Sequence, residues 1–351
     1  MIQSDAVNPT RMRVTGIDTR RRAVLVLPAL AVIALATFVI ACLIGSAPLS
    51  AGELMRSIHA VVSGDMPSLA TAVVELRAAR GASAFVTGAM LALAGTMMQA
   101  LLRNPLADPY VLGVSGGAAV GALGAMVFFT VGWMVDAAAF AGALLVAALL
   151  FVLARRDFRA AASIGDRSLL LLTGVVVASG CGALVTLMLS MAPDGRLRGM
   201  VFWLIGDLSG TSLRWMPWLI LLVALGFALR AARAINVMAQ HAEAAATLGV
   251  PVGPLRRGLF FFAALLTAGA VSNAGSIGFV GLIVPHACRF VLGPDHRLLL
   301  PAVTLVGGIF LLLADTLART VIAPQQLPVG VITALIGVPM FLLQLHHQRG
   351  N

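Results

Sequence analysis

The sequence contains no lysine and only 14 acidic residues, so its formal charge of +10 rests on arginine. Without lysine there is no phosphate-binding loop of the Walker kind, whose lysine must reach the nucleotide phosphates. Nor is there an H-E-x-x-H pair or a Cys/His cluster. The 3 cysteines, Cys42, Cys181 and Cys288, all fall inside apolar runs without paired spacing. That excludes a disulfide framework and a zinc site, and leaves them as small packing residues. A cleavable signal peptide is not expected either. The first apolar run begins only after Arg20, Arg21 and Arg22, and is too long for a signal core.

What the chain has is apolar surface. Hydrophobic residues make up 60% of 351 positions, charged residues 11%, and the mean hydropathy is +0.99. A soluble domain of this size could not hide so much, so the bilayer is the fitting solvent. A basic chain could also suggest nucleic acid. Here, however, the arginines sit in short loops between apolar runs, where they act as orientation signals.

A crossing helix needs about 20 apolar residues, fewer where it is buried in protein. Runs that meet this test span 23–45, 81–102, 111–131, 135–154, 168–191, 213–229, 258–273, 276–289, 299–323 and 330–345. The expected fold is therefore an all-α polytopic membrane protein of about ten helices. With the N-terminus inside, only Arg56, Arg77, Arg80, Arg196, Arg198, Arg214 and Arg319 of the 24 arginines lie outside. This bias predicts both termini in the cytoplasm. The expected organisation is a tail over 1–22, one transmembrane domain over 23–345, and a tail over 346–351. The 231–257 loop is its longest cytoplasmic connection. Its alanine-rich centre, stopped by Gly249 and Pro251, predicts a short helix below the membrane. On the other side, Leu54, Ile58, Val61 and Val62 recur at helical spacing and predict a surface helix within 52–62.

Few residues could carry chemistry. Asp315 has Arg319 four positions on, which predicts an ion pair on one helix face rather than a proton relay. His286, after Pro285, reads as a packing histidine. The glycines at 88 and 95, and at 113, 117, 121 and 124, suit close helix approach. A self-powered secondary transporter would need buried carboxylates or an ion site, and an intramembrane enzyme would need facing catalytic residues. Neither set is evident.

Three stretches resemble a known family. One is Leu101-Leu102-Arg103-Asn104-Pro105-Leu106-Ala107-Asp108-Pro109 with Leu112-Gly113-Val114-Ser115-Gly116-Gly117-Ala118. The second is Gly275-Ser276-Ile277-Gly278-Phe279-Val280-Gly281-Leu282 with Val284-Pro285-His286 and Gly293-Pro294-Asp295-His296-Arg297. The third runs from Leu327-Pro328-Val329-Gly330 to Ile336-Gly337. They resemble the permease subunits of ATP-binding-cassette importers for iron-siderophores, haem and cobalamin (FecCD-like, type II importers), from about residue 23 to the C-terminus.

The resemblance implies ten helices per subunit and a homodimer with the pathway at its interface. It also implies two cytoplasmic ATPase subunits and a periplasmic substrate-binding protein, in the inner membrane. This chain would then hold no cofactor or metal and no catalytic residue, ATP and Mg being bound by the partner. The implied cargo is a bulky iron chelate, haem or a ferric siderophore, with cobalamin the alternative. The implied ATPase-coupling residues are Gln240, His241, Glu243, Ala246, Leu248, Gly249 and Val250. Asn104, Leu106, Arg167 and Ser168 match the family's cytoplasmic gate. Arg77, Arg80 and Arg319 match the arginines that dock the binding protein, although Ala78 and Ala79 stand where the family has Leu-Pro.

Overall fold

The computed structural model describes residues 17–45, 52, 55–56, 59, 63, 69–129, 131–155, 164–210, 214–240 and 242–349. The described residues form twelve α-helices and no strand. In chain order these are α1 (Ile17–Leu43), α2 (Leu69–Leu102), α3 (Val114–Phe128), α4 (Gly132–Leu153), α5 (Ile164–Ser190) and α6 (Asp194–Ile205). Then come α7 (Met216–Gln240), α8 (Ala242–Thr247), α9 (Val252–Ala274), α10 (Val280–Leu292), α11 (His296–Thr320) and α12 (Val329–Arg349). Seven of them are long and apolar enough to cross a membrane: α1, α2, α4, α5, α7, α9 and α11. The shorter α3 and α10, and the apolar part of α12, bring the set to ten. Backbone polar groups in lipid must be satisfied within the segment, and a helix does this.

The core is organised around α2, which is almost wholly buried and packs against α1, α7, α9, α10 and α11. Its sequence explains how so many neighbours fit. A Cβ on Gly88 would run into the Gly307 carbonyl of α11, and one on Gly95 into the Gly281 carbonyl of α10. Lipid tails provide no hydrophobic drive between helices, so close backbone approach supplies the contact. The α3–α4 hairpin repeats the device, with Gly117 against Gly142.

Three features differ from the sequence reading. Helix α2 begins twelve residues before its apolar run, because Arg77 and Arg80 find partners inside the protein and do not interrupt it. Helix α7 continues to Gln240 with alanine-rich turns, so the whole first third of the 231–257 connection is helix. Helix α6 was not foreseen, since its one buried residue, Met200, gives no apolar run. The expected surface helix within 52–62 lies largely outside the described residues.

If backbone contact holds α2 in place, Gly95→Val should cost at least the ~1–3 kcal/mol of overpacking. Gly226→Ala is the control, since that glycine is exposed with open space around it. Melting in detergent should fall by many degrees for the first and stay level or rise slightly for the second.

Candidate functional site

At one end of the bundle, a short helix stands beneath α7 and α9. Helix α8 ends in a Schellman arrangement: Val250 N–H donates to the Ala245 carbonyl at 2.9 Å and Gly249 N–H to that of Ala246 at 3.1 Å. Gly249 takes φ +79°, open to glycine without a steric cost. Ala245 is fully buried and anchors the helix. Ala246, Thr247, Leu248 and Gly249 are exposed, Leu248 at 71%. An apolar side chain so placed marks a surface that another body covers. Gln240 closes α7 and Glu243 lies in α8, while His241 lies outside the described residues.

Beside this element, α2 ends in a stiff turn. Arg103 adopts φ +51°, and Asn104 N–H reaches back to the Gln99 carbonyl at 3.2 Å. The Asn104 side chain accepts from Leu106 N–H at 2.9 Å, an Asx turn that Pro105 stiffens. Leu106 is 41% exposed at the tip. A crevice of about 240 Å³ separates this turn from Asn236 of α7 and His296 of α11. Asn236 donates to Asp295 at 2.7 Å and accepts from His296 N–H at 2.9 Å, so α7 caps the start of α11 together with Asp295. Arg289 of α10 donates to Gln99 of α2 at 2.8 Å. Arg167 and Ser168 fall in the first turns of α5, far along the chain from Asn104.

The three family-like stretches meet inside the bundle. After the turn, Asp108 accepts from Tyr110 N–H at 2.8 Å and caps a 3₁₀ turn, Pro109–Leu112. Solvent touches the Asp108 residue only in part, and burial of its carboxyl pushes the pKa up to about 6, against the Tyr110 hydrogen bond that lowers it. The Tyr110 hydroxyl in turn accepts from Ile277 N–H at 3.2 Å. Gly206, Gly275 and Gly330 bring the end of α6, the break before α10 and the start of α12 into backbone contact. Non-helical backbone of this kind must sit within protein or line a cavity.

At the opposite end lies the strongest electrostatic cluster. Asp315, wholly buried, accepts from Arg80 Nη2 at 2.8 Å and Nε at 2.9 Å. Arg80 also donates to Gln326 at 2.6 Å. Arg319 Nε lies 3.1 Å from Asp315 Oδ2 but out of line for a hydrogen bond; the foreseen pair on one helix face is therefore an ion pair by distance. Arg319 Nη2 donates to the Ala41 carbonyl at 3.2 Å, and Arg77 Nη1 to the Cys42 and Leu43 carbonyls, both at 3.0 Å. All three arginines are buried, so they do not project from a loop ahead of α2. They tie the exposed-carbonyl end of α1 and the end of α11 to α2.

Among the described residues, no group of three His, Cys, Asp or Glu side chains could hold a metal ion. The comparisons agree on family. A model of the FecCD transport family matches residues 33–347. The cobalamin import permease BtuC of Halobacterium salinarum is 45% identical over 269 residues, covering 75% of this chain and 70% of that protein. The hemin transport permease HmuU of Yersinia pestis is 39% identical over 287 residues, covering 78% and 83%. A solved structure described as a metal-chelate type ABC transporter in an inward-facing conformation superposes with a TM-score of 0.78, at 29% identity over 92% of this chain and 99% of that one.

Removing Asp315 should expose how much the cluster holds. Asp315→Ala leaves two buried guanidinium groups uncompensated, a loss of about 3–5 kcal/mol where a buried pair is broken. Arg80→Met added to it should restore part of the melting temperature, since the two residues act as one unit.

Proposed function

The chain belongs to the FecCD transport family and is an importer permease, and on that premise we propose how its parts work. Two copies form the pathway between them in the inner membrane, with both termini in the cytoplasm. Two separate ATP-binding subunits dock on α8 and supply the energy. This chain brings no cofactor of its own and catalyses nothing. The observation that carries the reading is the exposed Leu248–Gly249 corner on an anchored short helix. Such a corner transmits force only if the anchored part is rigid, which the Ala245 hydrogen bond supports.

The cargo is a bulky metal chelate: haem, a ferric siderophore or, as in the 45% identical relative, cobalamin. Asn104 and Leu106 close the cytoplasmic mouth together with Arg167 and Ser168 of α5. A periplasmic protein delivers the cargo at the end marked by Arg77, Arg80 and Arg319. There the cluster gathers three guanidinium groups and one carboxylate, Asp315, which Arg80 and Arg319 meet directly. Its field draws an acidic partner, even though the guanidinium groups are held within the chain.

Leu248→Glu puts a charge into the proposed contact without touching a buried residue. The permease should fold normally and lose the co-purified ATPase subunit by about tenfold or more in affinity. An intact complex whose ATP hydrolysis still answers to the binding protein rejects this docking site. For the gate, cysteines at 104 or 106 should crosslink between subunits in one nucleotide state only. Crosslinking that is equal in all states argues against it.

A further inference from the structure

Away from α8, a cavity of about 650 Å³ opens between the ends of α3, α4, α6 and α9. Next to it, a crevice of about 500 Å³ runs between α4, α7 and α9. The two share Trp133, Asp136, Arg214, Ser272 and Asn273. Both volumes fall within the ~300–1,000 Å³ of ordinary ligand sites. They differ in character. The crevice is walled by Phe140, Met216, Pro217 and Ile220, between helices that each suit a membrane crossing. The cavity above it carries two cations, Arg198 and Arg214, and two anions, Asp136 and Asp207. Arg214 pairs with Asp136 at 2.6 Å, and Arg198 lies 5.3 Å over the Phe202 ring.

Asn273 decides what fits. The residue is 5% exposed and its Nδ2 donates to Thr87 Oγ1 at 3.0 Å, while the buried Oδ1 has no partner. A buried acceptor left unpaired costs free energy and calls for a donor. The carbonyl end of α9, at Ala274, adds negative potential beside it. An ionised phosphate diester has no donor to give. A primary ammonium has three.

We propose that this paired space holds one phospholipid with an ethanolamine-type headgroup, in the leaflet opposite α8. The ammonium donates to Asn273 Oδ1 and faces Asp207. The phosphate lies against Arg198 and Arg214, and an acyl chain follows the crevice past Phe140 and Ile220. The balanced charge of the lining matches a zwitterion, and an anionic headgroup would leave the Asn273 Oδ1 acceptor unmet, while Asp207 already accepts from Ser209 and Asp136 from Arg214. Only the naming of the leaflet rests on the orientation given under Proposed function.

The test is native mass spectrometry of the purified transporter complex released from nanodiscs of equal phosphatidylethanolamine, phosphatidylcholine and phosphatidylglycerol. One phosphatidylethanolamine per permease chain should be retained, at least about tenfold over phosphatidylcholine, whose quaternary nitrogen donates no hydrogen bond. Asn273→Leu should bring that ratio near unity. Asp207→Asn, at a half-buried and less critical position, should lower it in the same direction if Asn273→Leu fails to fold. Ile220→Trp should reduce retention of all three lipids. Equal retention of the headgroups, preference for phosphatidylglycerol, or no retained lipid would each overturn the proposal. So would displacement by millimolar inorganic phosphate, which would mark a simple anion site. The Leu248→Glu variant should retain the lipid unchanged, so failure of the ATPase assignment and failure of this one are read separately.

Discussion

Everything in this bundle depends on one helix reaching the centre without a side chain in its way. Helix α2 meets the Gly307 and Gly281 carbonyls through Gly88 and Gly95, closer than any Cβ would allow. Five neighbouring helices can then share it as a common wall. Dispersion alone provides little per contact, but a helix buried over most of its 34 residues accumulates many contacts. The same burial dictates the fate of α2's charges. Arg77 and Arg80 enter the protein with the helix and must be paired there, and the carbonyls ending α1 and the Asp315 carboxylate meet that need.

The two ends of the bundle are consequently built on different physics. At the Asp315 end, buried ionic contacts bind α1, α2 and α11 into one body. At the α8 end, hydrogen bonds with at most one charged partner join the parts: Asn236 to His296 N–H and to the Asp295 carboxylate, Arg289 to Gln99, and the Asn104 Asx turn. Such bonds contribute about 0.5–3 kcal/mol each, the upper part where one partner is charged. They can be exchanged at a lower cost than the buried ion pairs of the other end. The ionic end is far costlier to rearrange. Between them the Tyr110–Ile277 contact joins the short 3₁₀ turn after α2 to the non-helical break before α10.

Much of this was legible in the sequence because apolar length is a strong signal in a lipid solvent. Each of the ten runs corresponds to one apolar helix, and the stop at Gly249 and the Asp315–Arg319 pair appear where the spacing put them. What stayed hidden depends on tertiary partners. The early start of α2 could not be read, since charges normally end an apolar run and only the fold reveals Asp315 beside Arg80. Helix α6 lacks an apolar stripe, burying little besides Met200. Asn236 gave no signal either. Its importance comes from lying 2.7 Å from an aspartate 59 positions away. The cavity around Asn273 likewise gathers residues from elements distant in the chain, and local pattern says nothing about it.

The charge pattern also bears on where the driving force enters. A proton- or ion-coupled carrier needs an acid that exchanges its partner as the cycle turns. Asp315 is the one carboxylate among the wholly buried side chains of the described residues, and Arg80 and Arg319 together engage both its oxygens. Releasing it would strand those two arginines, at the about 3–5 kcal/mol that breaking a buried pair costs, a large share of a domain's stability. The exposed corner at Leu248 carries no such penalty. It lies on a short helix that leads directly into α7, and α7 holds the start of α11 through Asn236. That sequence of contacts links the Leu248 corner to the helix that carries Asp315. With an ATPase bound at that corner, as proposed above, α7 and α11 are the elements that would carry its displacement toward the opposite face.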